Sequence, residues 1–252
     1  MSYYENQESI NMKLQIFKDS ETLAAAAAEI FIQTGTSAIE ARGRFLVALS
    51  GGSTPSGMYR MLASDSFRDK VVWEQTFVFW GDERCVSPEN EGSNYHQAYK
   101  ILLSQVPIPG ENILRAKGEL VPYEASVDYA QTLKKYGDAG LDWPRFDLVL
   151  LGMGEDGHTA SLFPGSQVNV TSPTLAVTAD YQGRPAKRVT LTPLVFNSAR
   201  KVLFLVTGTN KAATLSRVLN DDTMPEQYPA QRIQPLDGEV VWLVDEAAAS
   251  KL

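Results

Sequence analysis

Reactive sulfur and imidazole are nearly missing from this chain, which has one cysteine, Cys85, and two histidines, His96 and His158, in 252 residues. A lone thiol excludes an intramolecular disulfide and suits a reducing compartment. It also excludes a cysteine-rich zinc framework, and two histidines far apart in sequence do not make a metal site, so no metal is expected. Positive charge is in deficit as well, with 23 Lys and Arg against 30 Asp and Glu and a formal net charge of −7. That balance excludes non-specific binding to nucleic acid, which needs a positive surface. An anionic substrate would have to be held by a local cluster of donors and cations.

Long apolar runs are lacking too. Residues 23–32 form the greasiest early stretch, but it is short, Ala-rich and interrupted by Glu29. It reads as a helix packed on a sheet rather than a leader or a membrane span. The stretch MSYYENQESINMK before it is polar and acidic, where a leader would be basic and then apolar. A cytoplasmic protein with no membrane partner is expected. With 44% apolar residues the chain can bury a sizeable core. It shows neither repeats nor a linker, so one domain over 1–252 is expected.

What is present converges on residues 150–166, LLGMGEDGHTASLFPGS. The run at 146–151 reads as a buried strand of a parallel sheet, without a polar face. It empties into Gly152, Gly154 and Gly157, which allow backbone angles and close ligand approach that side chains would block. Asp156 and His158 follow on the same turn, at a strand's carboxyl end, where open α/β sheets bind ligands. A neutral imidazole takes a proton from water near pH 7, and the imidazolium returns it. Asp156 is close enough in sequence to orient the ring or hold a substrate hydroxyl; a capped core histidine is the plainer reading. Residues 152–157 also fit the dinucleotide fingerprint GxGxxG, with Asp180 suitably placed beyond. That reading is rejected, because Phe163-Pro164-Gly165 interrupts the chain before a useful helix can open.

Further strands are expected at 13–18, 44–49, 76–80, 174–178, 188–191, 201–206 and, as an edge strand, 239–244. Helices are expected at 20–34 with Ser20 (alternatively Thr22) as N-cap, at 55–62, from Ser93 or Asn94 to about 104, and at 123–136. A short helix with Thr192 as cap and Pro193 first follows, then a helix at 208–219; residues 221–237 read as loop.

The segment LSGGSTP at 49–55 has two glycines that let backbone N–H groups converge, Ser53 or Thr54 as a cap, and Pro55 for the first helical position. Free N–H groups and the helix dipole favour a phosphate there. The GxxxxGK[ST] spacing is absent, so this is not a nucleotide P-loop; an ordinary strand-to-helix turn is the other reading. Strand 76–80 ends in Gly81-Asp82-Glu83-Arg84, where Arg84 could fork onto a phosphate or carboxylate and Asp82 could accept sugar hydroxyls. A solvated charged turn is the alternative. Cys85 has either a lowered pKa beside Arg84 or a small, partly buried structural role. His96 reads as a surface or wedged residue. Lys211 opens a helix against an already positive dipole end, a conflict that a bound anion would relieve.

Taken together, LSGGSTP at 49–55, WGDER at 80–84, SNY at 93–95, LGMGEDGHTASLFPG at 151–165, RVTLTP at 188–193 and GTNK at 208–211 resemble the 6-phosphogluconolactonase family, whose relatives include the glucosamine-6-phosphate deaminases. The resemblance covers most of residues 45–211 in order. It implies a single-domain, Rossmann-like three-layer α/β fold with a mostly parallel central sheet, of the deaminase type. The implied activity is hydrolysis of 6-phospho-glucono-1,5-lactone to 6-phosphogluconate, without metal or cofactor. Carried over by motif, His158 is the acid–base residue with Asp156 its neighbour in the site. Gly51, Gly52, Ser53 and Thr54 match the phosphate-side loop, with Asp82 and Gly154 in the same site; Arg84, Arg188 and Lys211 match the cations around the phosphosugar. The deaminases carry a glutamate soon after the histidine, where Ser161-Leu162-Phe163 has no carboxylate, and an aromatic where Arg84 stands. Both departures favour the lactonase over the deaminase, and a non-catalytic sugar-phosphate sensor is the remaining rival. The expected partner is a small sugar phosphate, with the chain a monomer or weak homo-oligomer.

Overall fold

The computed structural model describes residues 11–167, 169–220 and 224–252. The polar amino-terminal reading over residues 1–10 and the start of the 221–237 loop lie outside them. In chain order the elements are β1 (Met12–Phe17), α1 (Ser20–Arg42), β2 (Phe45–Leu49), α2 (Ser53–Ala63), β3 (Thr76–Trp80), β4 (Asp82–Arg84), α3 (Asn94–Ile101), α4 (Pro122–Lys134) and β5 (Leu148–Leu151). They continue with β6 (Thr174–Thr178), β7 (Lys187–Leu191), α5 (Pro193–Phe196), β8 (Lys201–Val206), α6 (Ala212–Asn220), β9 (Glu239–Asp245) and α7 (Glu246–Ala249).

Six strands form an all-parallel sheet in the order β1-β9-β8-β5-β2-β3. Because side chains alternate across a strand, the apolar runs bury both faces. Val149, Leu151, Phe204 and Trp242 pack on one face with α4, α6 and α7. Leu148, Leu150, Leu203 and Leu243 pack on the other with α1, α2 and α3. Three layers result, as expected. A separate antiparallel sheet, β4-β7-β6, lies beside the first.

Several expectations are corrected by what surrounds each residue. Helix α1 is capped by Asp19 rather than Ser20 or Thr22: its carboxylate accepts from the Thr22 N–H at 2.9 Å, and Thr22 answers the Asp19 N–H. The helix runs past Gly35 to Arg42, because Gly35 is buried where a Cβ would press on the Phe45 ring at 3.0 Å. An internal glycine costs only about 1 kcal/mol, which packing easily offsets. Strand β9 is not an edge; β1 pairs along it from Met12 to Phe17. Asp147 heads the central run instead of belonging to the apolar strand, accepting from the Leu46 N–H at 2.8 Å and pairing with Arg42 at 2.8 Å. Thr192 is the N-cap of α5 by position only, since its hydroxyl donates to the Ser172 carbonyl.

Candidate active site

Strand β2 lies between β3 and β5; the chain leaves β2 toward β3, but leaves the adjacent β5 toward β8 on the opposite side, so the connections after these two neighbours diverge. This is the switch point at which open parallel sheets form a crevice. The loops after β2 and β5 line one cleft there, joined by β4, β7 and the segment after β8. Two buried tyrosines fix the strand ends. The Tyr59 hydroxyl accepts from the Ser50 N–H and donates to the Ser50 carbonyl, and Tyr129 does the same for Trp80. Neither tyrosine was legible as part of the site in the sequence.

His158 lies in this cleft together with Ser53 and Arg84, on a turn that holds no helix. The dinucleotide reading is therefore excluded here. Gly157 takes the left-handed conformation (φ +80°), and the Gly154 N–H donates to the His158 carbonyl at 2.8 Å. His158 Nδ1 stands 2.6 Å from Asp156 Oδ1. Burial works to raise the Asp156 pKa, but the hydrogen bond and charge of His158 outweigh it, leaving the carboxyl below its ordinary value. An ionised acceptor at Nδ1 assigns the ring proton to that nitrogen and leaves Nε2 basic. The ring is stacked on Phe163 (centroids 4.4 Å apart) and meets the edge of Tyr181 at 4.5 Å. Nothing in the sequence marks Phe163 or Tyr181 as an aromatic wall of the site.

The charged turn after β3 is a short buried strand. Pleating sends Asp82 and Arg84 to the cleft side and Glu83 to the other. Arg84 and Arg188 are register partners across the β4–β7 ladder, both almost sealed from water. Like charges directly opposed across strands are destabilising. Arg84 gives Nη1 to the Gly92 carbonyl at 2.7 Å, but its Nε has no partner among the described residues, nor have Nε and Nη2 of Arg188. Burial pushes the Arg188 pKa down, with Arg84 adding to the push and Asp82 opposing it. Buried, unanswered guanidinium donors call for an anion.

The phosphate-side loop differs in detail from expectation. Helix α2 begins at Ser53, so Gly52 (φ +112°) is its N-cap, neither Ser53 nor Thr54 caps it, and Pro55 falls in the third helical position. Thr54 instead shares a hydrogen bond with Thr207 at 2.8 Å, tying the loop to the end of β8. Gly51 is required because Asn94, legible in the sequence only as a possible helix cap within the SNY motif, fills the space a side chain would take. Asn94 donates Nδ2 to the Asp82 carbonyl at 2.8 Å, and its buried Oδ1 has no partner among the described residues. Asp82 also accepts from Ser161 at 2.6 Å. Glu83 sits beneath, accepting from the N–H groups of Arg84, Asn94 and Tyr95 and from the Ser93 hydroxyl. It thereby joins β4 to the start of α3, which Ser93 caps.

Lys211 closes a single 3-10 turn leading into α6 and lines the cleft. Burial pushes its pKa down, partly opposed by Glu155 and Asp156. Every residue expected at the site lines this cleft except Asp156, which touches the imidazole instead. His96 lies apart from it, as read. Cys85 is half-buried with its thiol pushed up to about 11, chiefly by burial, so its structural reading holds. Among the described residues no group of three His, Cys, Asp or Glu side chains could hold a metal, and no helix is long and apolar enough to cross a membrane.

Topology and cleft together define an open α/β protein whose site is built on the carboxyl ends of parallel strands. The model of the glucosamine-6-phosphate isomerases/6-phosphogluconolactonase family matches residues 18–242. A 6-phosphogluconolactonase of Nostoc sp. is 37% identical over 241 residues, covering 95% of this chain and 98% of that one. The solved structure of 6-phosphogluconolactonase from Trypanosoma brucei superposes with a TM-score of 0.82 at 28% identity, over 97% of this chain and all of that one. A monomeric glucosamine-6-phosphate deaminase shares the fold, with a TM-score of 0.83 at 23% identity over 96% of this chain and all of that one. The chain belongs to the glucosamine-6-phosphate isomerase/6-phosphogluconolactonase family.

Proposed function

We propose that this chain hydrolyses 6-phospho-D-glucono-1,5-lactone to 6-phospho-D-gluconate, with His158 as general base and acid. One observation carries the reading: His158, paired with Asp156, shares a cleft with two buried, cross-strand arginines, each with donors that lack partners among the described residues. The phosphate is held by the loop at 51–54 with Arg84, Arg188 and Lys211, which leaves the lactone carbonyl for His158. Nε2 takes a proton from water as the oxygen bonds to C1. The tetrahedral intermediate collapses by breaking the bond from C1 to the ring oxygen, which receives the proton from the imidazolium. Asp156 holds the ring tautomer throughout.

The deaminase reading is weaker, because Ser161 occupies the stretch after the histidine and is committed to Asp82. Incubation of the purified protein with fresh phospholactone, following acid release, tests the proposal. Acid release well above spontaneous hydrolysis is expected. Ammonia from glucosamine 6-phosphate without lactone turnover would establish the deaminase, and binding without either reaction would establish a sensor.

A further inference from the structure

We propose that Arg184, on the hairpin between β6 and β7, is a fourth phosphate-side cation, and that this hairpin clasps the sugar phosphate while its Tyr181 braces His158. The inference rests on the lactonase reading and adds a residue that the sequence motifs do not assign.

The hairpin is built to aim these two side chains. Tyr181 and Arg184 form an antiparallel bridge, with the Arg184 N–H donating to the Tyr181 carbonyl at 3.1 Å. Gln182 and Gly183 between them have φ +50° and +66°, the left-handed pair of a two-residue hairpin turn. Directly opposed residues in such a pair project from the same face. Both line the cleft, Tyr181 with its edge to the His158 ring. Gln182, a side chain in a conformation that favours glycine, is compensated by giving Nε2 to Glu155 Oε1 at 3.3 Å. The same oxygen accepts from Asn210, next to Lys211, at 2.7 Å. Glu155 therefore latches the hairpin tip to the segment that carries a proposed phosphate cation.

Charge gives the hairpin its purpose. Burial disfavours the charged forms of Arg188 and Lys211, and the charge of Arg184 disfavours each further. Placing a third cation against two whose charged forms are already disfavoured is costly by itself. A phosphate monoester among them reverses the sign, because a doubly charged anion attracts all three. Arg184 is exposed at the rim, so it can meet the phosphate without first being desolvated.

The test compares Arg184→Gln and Arg184→Lys with the unmodified protein, using phospholactone turnover, phosphate-free gluconolactone turnover and calorimetric binding of 6-phosphogluconate. An exposed residue is replaced, and thermal unfolding checks that the fold is intact. For Arg184→Gln, KM for the phospholactone and Kd for 6-phosphogluconate are expected to rise about 10-fold, the loss of one charge-assisted hydrogen bond. The Lys variant should recover part of this, and the preference for phosphorylated over phosphate-free lactone should shrink by the same factor. Unchanged Kd and KM would overturn the inference while leaving the lactonase reading intact. Equal losses on both lactones would also overturn it, making the hairpin a brace for His158 alone. Absence of lactone turnover in the unmodified protein would defeat the lactonase reading, and the calorimetry would still decide whether Arg184 holds the phosphosugar.

Discussion

A methyl group added at Gly154 would lie 2.0 Å from Nδ1 of His158, and 2.5 Å from Oδ1 of Asp156. The glycine is thus the space in which the imidazole and its carboxylate meet. No rotamer shift at Gly154 can relieve the overlap, so either the ring or the turn must move.

Gly154→Ala is expected to reduce kcat by at least about 10-fold, the equivalent of one 1.4 kcal/mol interaction lost in the transition state. Phosphate-dependent binding of 6-phosphogluconate should survive. Steady-state kinetics alongside calorimetry check this; unchanged kcat would show that the pairing is dispensable.

His158→Ala should cost about 10²–10⁴ in kcat, the usual range for acid–base help. Substrate affinity should change little, since in the proposed mechanism the phosphate is held by other residues. Asp156→Asn keeps the shape but weakens a charge-assisted hydrogen bond, and a loss of about 10- to 100-fold in kcat is expected. A variant of either residue with full kcat would remove it from the mechanism.

Arg84→Ala and Arg188→Ala should act mainly on KM for the phospholactone, with phosphate-free gluconolactone much less affected. Because the two guanidinium groups oppose each other at one register position, the effects should not add: removing either relieves repulsion on the other. A double-mutant cycle measures the coupling, and strict additivity would refute a shared anion.

Glu83→Gln leaves donors from Ser93 or Tyr95 facing an amide NH₂, at a cost of about 1–3 kcal/mol for a buried unsatisfied group. The shift of α3 should carry Asn94 away from Gly51 and raise KM. Burial holds the Glu83 carboxyl above its ordinary range, against the pull of its hydrogen bonds. Its contribution to stability is therefore greatest below the ordinary glutamate pKa and declines as pH rises through the higher folded value. Urea unfolding at several pH values should show that component missing in the variant. Gly51→Ala, which would place a methyl 1.8 Å from Asn94 Oδ1, should produce the same KM effect from the other side.

Cys85 should alkylate slowly. With its thiol raised from 9.0 to about 11, the thiolate fraction near neutrality is roughly 100-fold below that of an ordinary cysteine. The rate should keep climbing tenfold per pH unit beyond pH 9, levelling only near 11. Levelling at or below pH 9 would contradict the burial described.

What the sequence determined alone was local or serial: the strands Thr76–Trp80, Thr174–Thr178 and Lys201–Val206, the glycine-rich turns after residues 49 and 151, and the Asp–Gly–His order. Short-range sterics and hydrophobic pattern specify these without reference to distant residues. Tertiary structure decided what depends on meeting across the chain. Asp19 outcompeted Ser20 as a cap through its own backbone geometry, but β9 became an inner strand only because β1 paired with it. Arg84 faces Arg188 because two strands adopted one register, and Gly51 must be glycine because α3 sets Asn94 against it. Such relationships are enforced by packing between segments, whose registers leave no periodic trace in either sequence. The chemical groups were therefore readable one by one, while their shared cleft, and the unanswered charge within it, exists only once the chain has folded.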